Sequence, residues 1–577
     1  MREVSTDILI LGSGGAGLFA ALHAHQADPS KSITVAVKGL LGKCGCTRMV
    51  QGGFNVALAE GDSIERHFMD TIEGGKWLPD QDLAWKLVNL AVERIHELEN
   101  ELGCFFDRNP DGTIHQKAFA GQTFDRTVHK GDLTGIEIIN RLAEQVWARD
   151  IGRLEEHRAV ELVKTRSGDA IAGVLMIDMR TGEYVMVRAA AVLLATGGGP
   201  TMYRYHTPSG DKSCDGLAMA LRAGLSLRDM EMVQFHPTGL LAGTHTRMTG
   251  TVLEEGLRGA GGYLLNGARE RFMLSYDPKG ERATRDIVSR AMYAEIRAGR
   301  TTPNGGLYIS MAHLGPDRVR RDFKGMVERC GDCGFDLAGG LVEVVPTAHY
   351  MMGGVEFKGD CSTVIPGLFV AGEDAGGVHG ANRLGGNGVA NSTVYGGVAG
   401  ETMVNWLKRE GGRSLAEPDA GAIAAAVARC EKPFGGTASA HGELEALREA
   451  LHGLMWDKVG IIREAAVLAS ADAELVAIDA ALDAHVIAGG ERAFNLSWHD
   501  WLNLKSLVAT SRVIAQAASA RSDSRGAHFR SDFPEAGPLE TSTFTSVRQD
   551  GERLAIDMKP VAFTRVRPGE SLLKDAA

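Results

Sequence analysis

The feature that most constrains the fold of this chain is a buried strand, a glycine turn and a helix near its start. The stretch DILILGSGGAGLFAALHAH begins at Asp7, and its turn carries Gly12, Gly14 and Gly17 in a G-x-G-x-x-G spacing. Glycines at this spacing let the backbone approach a pyrophosphate at the N-terminus of the following helix. Because the motif lies between a strand and a helix, we interpret it as a nucleotide-binding turn rather than a plain glycine turn.

The second strand of this unit, SITVAVK, ends at Lys38. Folds that bind free NAD place an acidic residue there to hold the ribose, so the lysine favours a flavin nucleotide instead. Two later segments repeat the combination of a buried strand and a glycine turn, at 189–200 and 366–397. Three separated units of this kind predict one discontinuous nucleotide-binding domain.

The remaining segments predict three further parts of the chain. An insertion separates the second and third glycine units, and apolar residues recur at helical spacing after about residue 410. The predicted organisation is a nucleotide domain at 1–238 and 349–410, an inserted domain at 239–348, a helical domain at 411–525 and a C-terminal segment at 526–577.

Composition excludes several classes of function. A net charge of −11 without any basic run argues against nucleic-acid binding, and no apolar run is long enough to span a bilayer. Eight irregularly spaced cysteines do not form the pattern of a disulfide framework. The first residues lead directly into a strand, so we expect no signal peptide and a cytoplasmic protein.

Polar residues cluster at glycine turns and at predicted strand ends. Histidines and arginines together can hold a small acid by charge-assisted hydrogen bonds. Each residue alone is also explained by a surface ion pair or a buried histidine, and only their placement favours a site. The candidates are His236 and Thr238 in VQFHPTG, Glu254, Glu255 and Arg258 in LEEGLRGAGG, Arg285 in TRDIVSR, His349 in TAHYMMGG and Arg383 in GANRLGG.

Ten ordered motifs between about Asp7 and Pro534 resemble the flavoprotein subunit of succinate dehydrogenase and fumarate reductase, whose relatives include L-aspartate oxidase. The motifs are GSGGAG, QGG, FAGQ, ATGGG, FHPTG, EGLRGAGG, TRDIVSR, HYMMGG, GANRLGGN and SRGAHFRSDFP. The resemblance implies an α/β fold class, with a Rossmann-like FAD-binding domain, an inserted α+β capping domain and a C-terminal helical domain. It also implies that the cap is mobile and closes over the substrate.

The resemblance implies that FAD lies across the three glycine segments, with Glu373 near its ribitol and adenosine portion. The cofactor-binding residues implied are Gly12, Gly14, Ala16, Gly17, Lys38, Cys46, Thr47, Gln51, Gly52, Gly53, Ala195, Thr196, Gly197, Asp215, Glu373, Arg383, Gly388 and Val389. No metal ion is expected in this chain.

The resemblance further implies an interconversion of a saturated and an α,β-unsaturated small carboxylic acid, of the succinate/fumarate type. Arg285 would move a proton while the flavin moves a hydride, and Glu255 and Arg258 would form the proton path. The implied catalytic residues are Arg285, Glu255, Arg258, His236, His349 and Arg383. The implied substrate-binding residues are His236, Thr238, Glu254, Gln122, His349 and Arg383.

The first departure from the family lies in the stretch GKCGCTRMVQGG. Many members carry a histidine bonded covalently to the flavin five residues before Gln51, and here that residue is Cys46. Three interpretations are open: a small residue beside noncovalent FAD, an 8α-thioether to the flavin, or a redox-active thiol together with Cys44. The last requires a lowered thiol pKa. Loss of the histidine favours fumarate reduction or oxidase activity over succinate oxidation.

The second departure is Glu254, where the family has a threonine that donates to a substrate carboxylate. An ionised glutamate would repel that carboxylate. Therefore Glu254 points away or is protonated, or the substrate carries a hydroxyl, amide or amine at that end. Gln122 stands where L-aspartate oxidase has a glutamate, which counts against aspartate, and Gly388 replaces a serine beside the flavin.

Cys330 and Cys333 form a lone C-x-x-C in the insertion, which we interpret as structural rather than metal-binding.

The leading hypothesis is an FAD-dependent oxidoreductase of the succinate/fumarate type. Alternatives are an oxidase or dehydrogenase of a hydroxy or amino acid, and an electron-transfer protein with a vestigial pocket. The resemblance also implies two partners, a membrane anchor and an iron–sulfur subunit, which would hold this chain peripherally at the inner face of a membrane.

Overall fold

The structure is a computed structural model, and it describes residues 1–244, 246–409 and 415–573. The strands in these residues are, in chain order, β1 (Arg2–Leu11), β2 (Ile33–Val37), β3 (Phe54–Asn55), β4 (Gln116–Lys117), β5 (Thr127–Val128), β6 (Gly152–Glu155), β7 (His157–Lys164), β8 (Ile171–Asp178), β9 (Tyr184–Leu194), β10 (Leu227–Arg228), β11 (Val233–Leu240), β12 (Tyr263–Leu265), β13 (Leu307–Ser310), β14 (Val342–Met351), β15 (Gly354–Val355), β16 (Leu368–Val370), β17 (Thr543–Asp550) and β18 (Arg553–Pro560).

The α-helices in the same residues pack on both sides of these strands and form most of the last third of the chain. They are α1 (Gly15–Ala27), α2 (Ile64–Gly74), α3 (Gln81–Asn100), α4 (Thr134–Trp147), α5 (Asp215–Arg222), α6 (Gly256–Gly259), α7 (Arg285–Arg297), α8 (Pro316–Asp322), α9 (Lys324–Asp332), α10 (Asn387–Arg409), α11 (Ala420–Glu431), α12 (Glu443–Lys458), α13 (Ala465–Ala484) and α14 (Leu496–Ala520).

The central sheet joins the three strand–glycine units that the sequence predicts. Its order is β6-β2-β1-β9-β8-β7, and β16 pairs with the carboxyl-terminal end of β9. Strands β1, β2, β9 and β16 run parallel, with Ile10 opposite Leu193 and Val370 opposite Leu194. The carboxyl ends of these strands therefore meet at one edge of the sheet, where nucleotides bind in open α/β folds.

The first turn requires glycine at two positions. Gly12 has a φ of +114°, and a Cβ there would lie 2.2 Å from the carbonyl oxygen of Ala195. A Cβ on Gly17 would lie 2.0 Å from the carbonyl oxygen of Gly12. Gly12 thus lets two strand ends approach each other, and Gly17 lets α1 begin directly behind the turn.

The insertion builds a second sheet, ordered β11-β14-β13-β12 and antiparallel throughout. Helices α6 to α9 cover it and share its apolar core, which includes Leu257, Val288 and Met326. Strands β11 and β14 continue into the part of the protein built around the central sheet, called the first body below, and pair His236 with Thr347. The long paired strands therefore place residues of the insertion directly beside the glycine turns.

The last part of the chain is helical from α11 to α14, and Trp498 and Trp501 are buried in its core, as packing residues should be. The hairpin β17–β18 then returns and pairs with β10, which extends a four-stranded sheet of order β15-β10-β17-β18.

The predicted fold class is confirmed, while the domain boundaries stay predictions. The boundary at 410/411 and the end of the segment 526–577 lie outside the described residues. Across the described residues, the structure holds no helix with both the length and the apolar character to cross a membrane.

Candidate active site

A cavity of about 510 Å³ lies where the three glycine turns face the insertion. Most of the residues predicted for the cofactor line it, and Gly12, Lys38 and Asp215 instead line an adjoining cavity of about 70 Å³. Gly17 lies behind the first turn, against Gly12. The predicted cofactor residues on the larger cavity are Gly14, Ala16, Cys46, Thr47, Gln51, Gly52, Gly53, Ala195, Thr196, Gly197, Glu373, Arg383, Gly388 and Val389.

The smaller cavity is organised around a partly buried ion-paired cluster. The ammonium of Lys38, at the end of β2, lies 3.0 Å from Asp215, and the guanidinium of Arg158 lies 2.7 Å from the other carboxylate oxygen. Burial alone would raise the pKa of Asp215, but Arg158 and Lys38 hold it well below its usual range. NAD-binding folds have an acidic residue at the end of this strand, and here Lys38 stands there instead. Its ammonium holds the carboxylate of Asp215, from α5, close to the same place.

A second carboxylate fixes the turns after β9 and β16 to each other. Asp374 accepts hydrogen bonds from the main-chain N–H of Thr196 at 2.5 Å and of Gly197 at 3.2 Å. The neighbouring Glu373 accepts from the N–H groups of Met351 and Gly199. Sequence reasoning predicted Glu373 as a cofactor residue and missed Asp374, although both follow the same strand.

The Cys46 loop lies at the rim of the large cavity. Cys46 begins a 3-10 turn, Cys46–Met49, and the neighbouring Thr47 hydroxyl accepts from the N–H of Gly15 at 3.1 Å. Burial raises the pKa of the Cys46 thiol well above its ordinary value, and burial also raises that of Cys44. This direction is opposite to the lowered pKa that a redox-active thiol requires.

Two histidines that line the large cavity, His236 and His349, lie next to each other. The rings of His236, on β11, and His349, on β14, have centroids 5.5 Å apart. His349 Nδ1 lies 2.8 Å from the Thr207 hydroxyl, and His236 Nδ1 lies 3.3 Å from the N–H of Thr238. Burial and the nearby Arg285 lower the pKa of both histidines well below the ordinary value, so both imidazoles are neutral at neutral pH.

Arg285, the first residue of α7, forms a buried ion pair with Glu255. Its Nη2 lies 2.7 Å from Glu255 Oε2, and its Nη1 donates to Gln234 Oε1 at 3.0 Å. The other oxygen of Glu255 accepts from Arg258 at 3.0 Å. Burial would raise the pKa of Glu255, but the two guanidinium groups lower it below its usual range.

Arg383 shares the acceptor Gln234 Oε1 with Arg285 and has no carboxylate among its hydrogen-bond partners in the described part of the chain. It donates to Gln234 Oε1 at 3.1 Å, and its guanidinium carbon lies 4.4 Å from the ring centroid of Tyr350. Its Nε is buried without a hydrogen-bond partner. A Cβ on Gly388 would lie 2.8 Å from Arg383 Nη1, so the small residue makes room for this guanidinium.

Glu254 lines the same cavity and is ion-paired. Its Oε2 lies 3.2 Å from the ammonium of Lys117, on β4 of the first body. Of the three alternatives for Glu254, the one in which it points away from the pocket does not agree with this position, and the other two stay open. Two other predicted substrate residues lie behind the wall: Thr238 donates to the carbonyl oxygen of Leu253, and Gln122 donates to that of Gly385.

Comparisons with known proteins agree with this geometry. A family model described as FAD binding domain matches residues 7–389, and one described as Fumarate reductase flavoprotein C-term matches residues 448–572. A fumarate reductase (CoM/CoB) chain from Methanothermobacter marburgensis is 39% identical over 541 residues, which are 92% of this chain and 95% of the relative. The chain belongs to the fumarate reductase flavoprotein family.

Other fumarate reductase flavoproteins match over nearly the whole chain. The 8-methylmenaquinol:fumarate reductase flavoprotein subunit of Wolinella succinogenes is 34% identical, over 98% of this chain and 92% of the relative. A mutant E. coli quinol fumarate reductase chain superposes with a TM-score of 0.92 at 31% identity, over 99% of both chains. The predicted family, fold class and oxidoreductase activity with FAD as cofactor are confirmed.

The residues of this chain fit FAD. The glycine turns leave room for a pyrophosphate, and the smaller cavity offers the Lys38–Asp215 pair to the adenosine end. The larger cavity brings the Cys46 loop, Gly388 and Arg383 together around the space for the ring. No group of three or more His, Cys, Asp or Glu side chains in the described residues could hold a metal ion.

Sequence reasoning missed the polar residues that hold the site together from a distance. Gln234 is two residues before His236 on β11, so the alternation of a strand could have placed both on one face. Lys117 is two residues before the FAGQ motif, but nothing local in the sequence pairs it with Glu254. Its partner is 137 residues away in the chain.

Proposed function

We propose that this flavoprotein interconverts succinate and fumarate, with fumarate reduction as its favoured direction. The observation that carries the proposal is the buried Arg285–Glu255 ion pair at the wall of a cavity that also presents two neutral histidines. This arrangement can bind a small acid and deliver a proton to it in the same place. Two relatives have different reductants in their names but the same reaction, the reduction of fumarate, and this supports fumarate as the acid.

The charges around the cavity match a dicarboxylate. Arg383, the Arg285–Glu255–Arg258 group and the Lys117–Glu254 pair together carry a formal charge of +2, from three arginines and one lysine against two glutamates. A dianion of two carboxylates neutralises this charge. Other charged side chains, among them Arg329 and Asp132, also line the cavity and are not part of this count. The altered-substrate hypothesis depended on an ionised Glu254 facing the pocket. The ion pair with Lys117 compensates that charge and so supports a plain dicarboxylate.

The binding step uses both kinds of donor. Arg383, whose Nε lacks a partner, would form a charge-assisted pair with one carboxylate. The neutral imidazoles of His236 and His349 would donate hydrogen bonds without adding charge. His236 and Arg383 are buried and His349 is half-buried, so little water reaches these contacts, which strengthens them and helps to orient the double bond.

The proton step depends on Arg285. Bound FAD supplies or accepts the hydride. In the reducing direction Arg285 would donate a proton from Nη2 to the second carbon of the double bond, and Glu255 would return one to it from Arg258. An arginine is a weak acid by itself, so it works only within a relay, in which Glu255, 2.7 Å away, would replace the proton that Arg285 gives up.

We further propose that an iron–sulfur subunit supplies the electrons and that a membrane partner holds the complex. The quinol in the names of the Wolinella and E. coli relatives supports this assignment. Affinity purification of the tagged chain from its native host, with iron analysis of the eluate, tests it. Recovery of an active chain without iron would contradict it.

The test of the reaction uses the purified FAD-bound chain. Fumarate should drive oxidation of a reduced dye, and succinate should drive reduction of an oxidising dye at a lower rate. The absence of both reactions in a chain with a full flavin spectrum would overturn the proposal. Hydrogen peroxide formation without dye reduction would indicate an oxidase instead.

A further inference from the structure

The Lys117–Glu254 ion pair joins the first body of the protein to the insertion. Lys117 belongs to β4, which pairs with β5 in the small sheet beside the Gln51 loop. Glu254 belongs to the segment that connects β11 to α6, directly before Glu255. The pair therefore forms where the insertion meets the first body, beside the cavity that Glu254 lines.

The surroundings hold both side chains in place. The Lys117 side chain is 20% exposed and that of Glu254 is 9% exposed. Lys117 also lies 5.7 Å from the ring centroid of Phe119, which lines the cavity, and donates to the carbonyl oxygen of Gly131 at 3.4 Å. The N–H of Glu254 points to the sulfur of Met326 at 3.5 Å. Such a partly buried pair is screened less by water than a surface pair.

The charged groups nearest to Glu254 determine what the pocket can accept. Arg329, on α9, also lines the cavity, and its guanidinium donates to the carbonyl oxygen of Val252. Asp132 lines the cavity on the side of the first body. Lys117 is the cation within ion-pair distance of the Glu254 carboxylate among the described residues. Without it, a substrate carboxylate would meet an uncompensated negative charge in a buried site.

We propose that Lys117 is a specificity-determining residue that makes the pocket accept a dicarboxylate. Lys117 cancels the charge of Glu254, so that Arg383 and the Arg285–Glu255–Arg258 group leave a formal charge of +2 for the substrate to neutralise. The inference rests on the proposed succinate/fumarate chemistry and adds a residue that the family motifs do not include. In its absence the same pocket should prefer an acid with one carboxylate and one neutral amide.

The experiment compares fumarate with fumaric acid monoamide, which carries an amide in place of one carboxylate. The readout is the kcat/KM for fumarate divided by the kcat/KM for fumaric acid monoamide, both measured with a reduced dye on the FAD-bound chain. In Lys117→Met the ratio should fall roughly 10- to 100-fold, mainly through KM for fumarate. The double variant Lys117→Met/Glu254→Gln should restore it, because both charges are then gone.

A matched control is available on the same part of the chain. Lys130 pairs with Asp107 at 3.3 Å, its side chain is 44% exposed, and it does not line the cavity. Lys130→Met should leave the ratio unchanged. Glu254→Gln alone should raise the ratio, and this variant keeps the proposal testable if Lys117→Met does not bind flavin.

Two outcomes overturn the inference while the proposed function stands. One is an unchanged ratio in Lys117→Met with active wild type. The other is an equal loss on both substrates that Glu254→Gln does not reverse, since this is the behaviour of a purely structural residue. A wild-type chain with bound flavin and no turnover of fumarate overturns the proposed function, and the inference with it.

Discussion

Arg285 combines two properties that rarely occur together, a full positive charge and a buried position beside a substrate cavity. Replacement by glutamine in Arg285→Gln should reduce turnover by about two to four decades, because the proton donor is lost. Flavin should stay bound, since the glycine turns are untouched. Steady-state rates and the visible flavin spectrum test this prediction. Arg297→Gln, at the exposed end of the same helix, is the control. Near-normal activity of Arg285→Gln would exclude the proposed proton step.

Cys46 should not bond covalently to the cofactor. Burial raises its thiol pKa, and a neutral thiol is a poor nucleophile toward the flavin. We expect acid or heat to release intact FAD, which a denaturing gel viewed for flavin fluorescence will show as a dark polypeptide band. A fluorescent band that disappears in Cys46→Ala and persists in Cys44→Ala would establish a thioether instead.

Some residues of the site could be predicted from the sequence and others could not. His236, His349 and Arg383 stand in motifs, and the structure brings all three to one cavity. Lys117 and Asp374 were not predicted, because their roles depend on partners 137 and 178 residues away. A local pattern carries no information about such a partner.

At the level of elements, the β1–turn–α1 unit is the most constrained part of the fold. Gly12→Ala would place a methyl group against the Ala195 carbonyl oxygen and a side chain in left-handed backbone. Strain of this kind costs about 1–3 kcal/mol before the clash is counted. We expect loss of bound FAD and a lower Tm, measured by flavin absorbance and thermal denaturation. Gly210→Ala, with open space around it, should change neither.

Long buried strands were predictable and short ones were not. β1, β2, β9 and β16 appear in the sequence as apolar runs before glycines, and the structure pairs them as neighbours. β3, β4 and β5 have two residues each, which is too short for any periodicity. The hairpin β17–β18 is half exposed, so its sequence indicated only a mixed segment.

At the scale of the whole molecule, a buried histidine links the first helix to two distant ones. His23, on α1, lies 2.9 Å from Glu97 on α3 and 2.9 Å from Glu401 on α10, and Arg94 lies beside both acids. Burial alone would lower the pKa of His23, but Glu401 and Glu97 raise it above 6.5. A raised pKa in the folded state means that the protonated histidine stabilises the fold.

This stabilisation is present in full below the unfolded pKa of 6.5 and is lost as pH rises through the folded pKa. The Tm of the wild type should therefore exceed that of His23→Gln by more at pH 6 than at pH 8.5. Thermal denaturation of both proteins across this range is the measurement. A difference that grows with pH would show that the neutral histidine is the stabilising form.

The pairing of β9 with β16 has a consequence for how the chain must fold during synthesis. β1 and β9 are available early, but the edge of β9 that β16 covers stays open until Leu368–Val370 have left the ribosome. The last strands of the neighbouring sheet arrive only with Thr543 and beyond. Pairings this distant make folding slow and leave strand edges exposed for many seconds at ordinary rates of translation. We therefore expect the uncovered edges of β9 and β10 to be the surfaces by which the nascent chain would aggregate until the final hairpin is made.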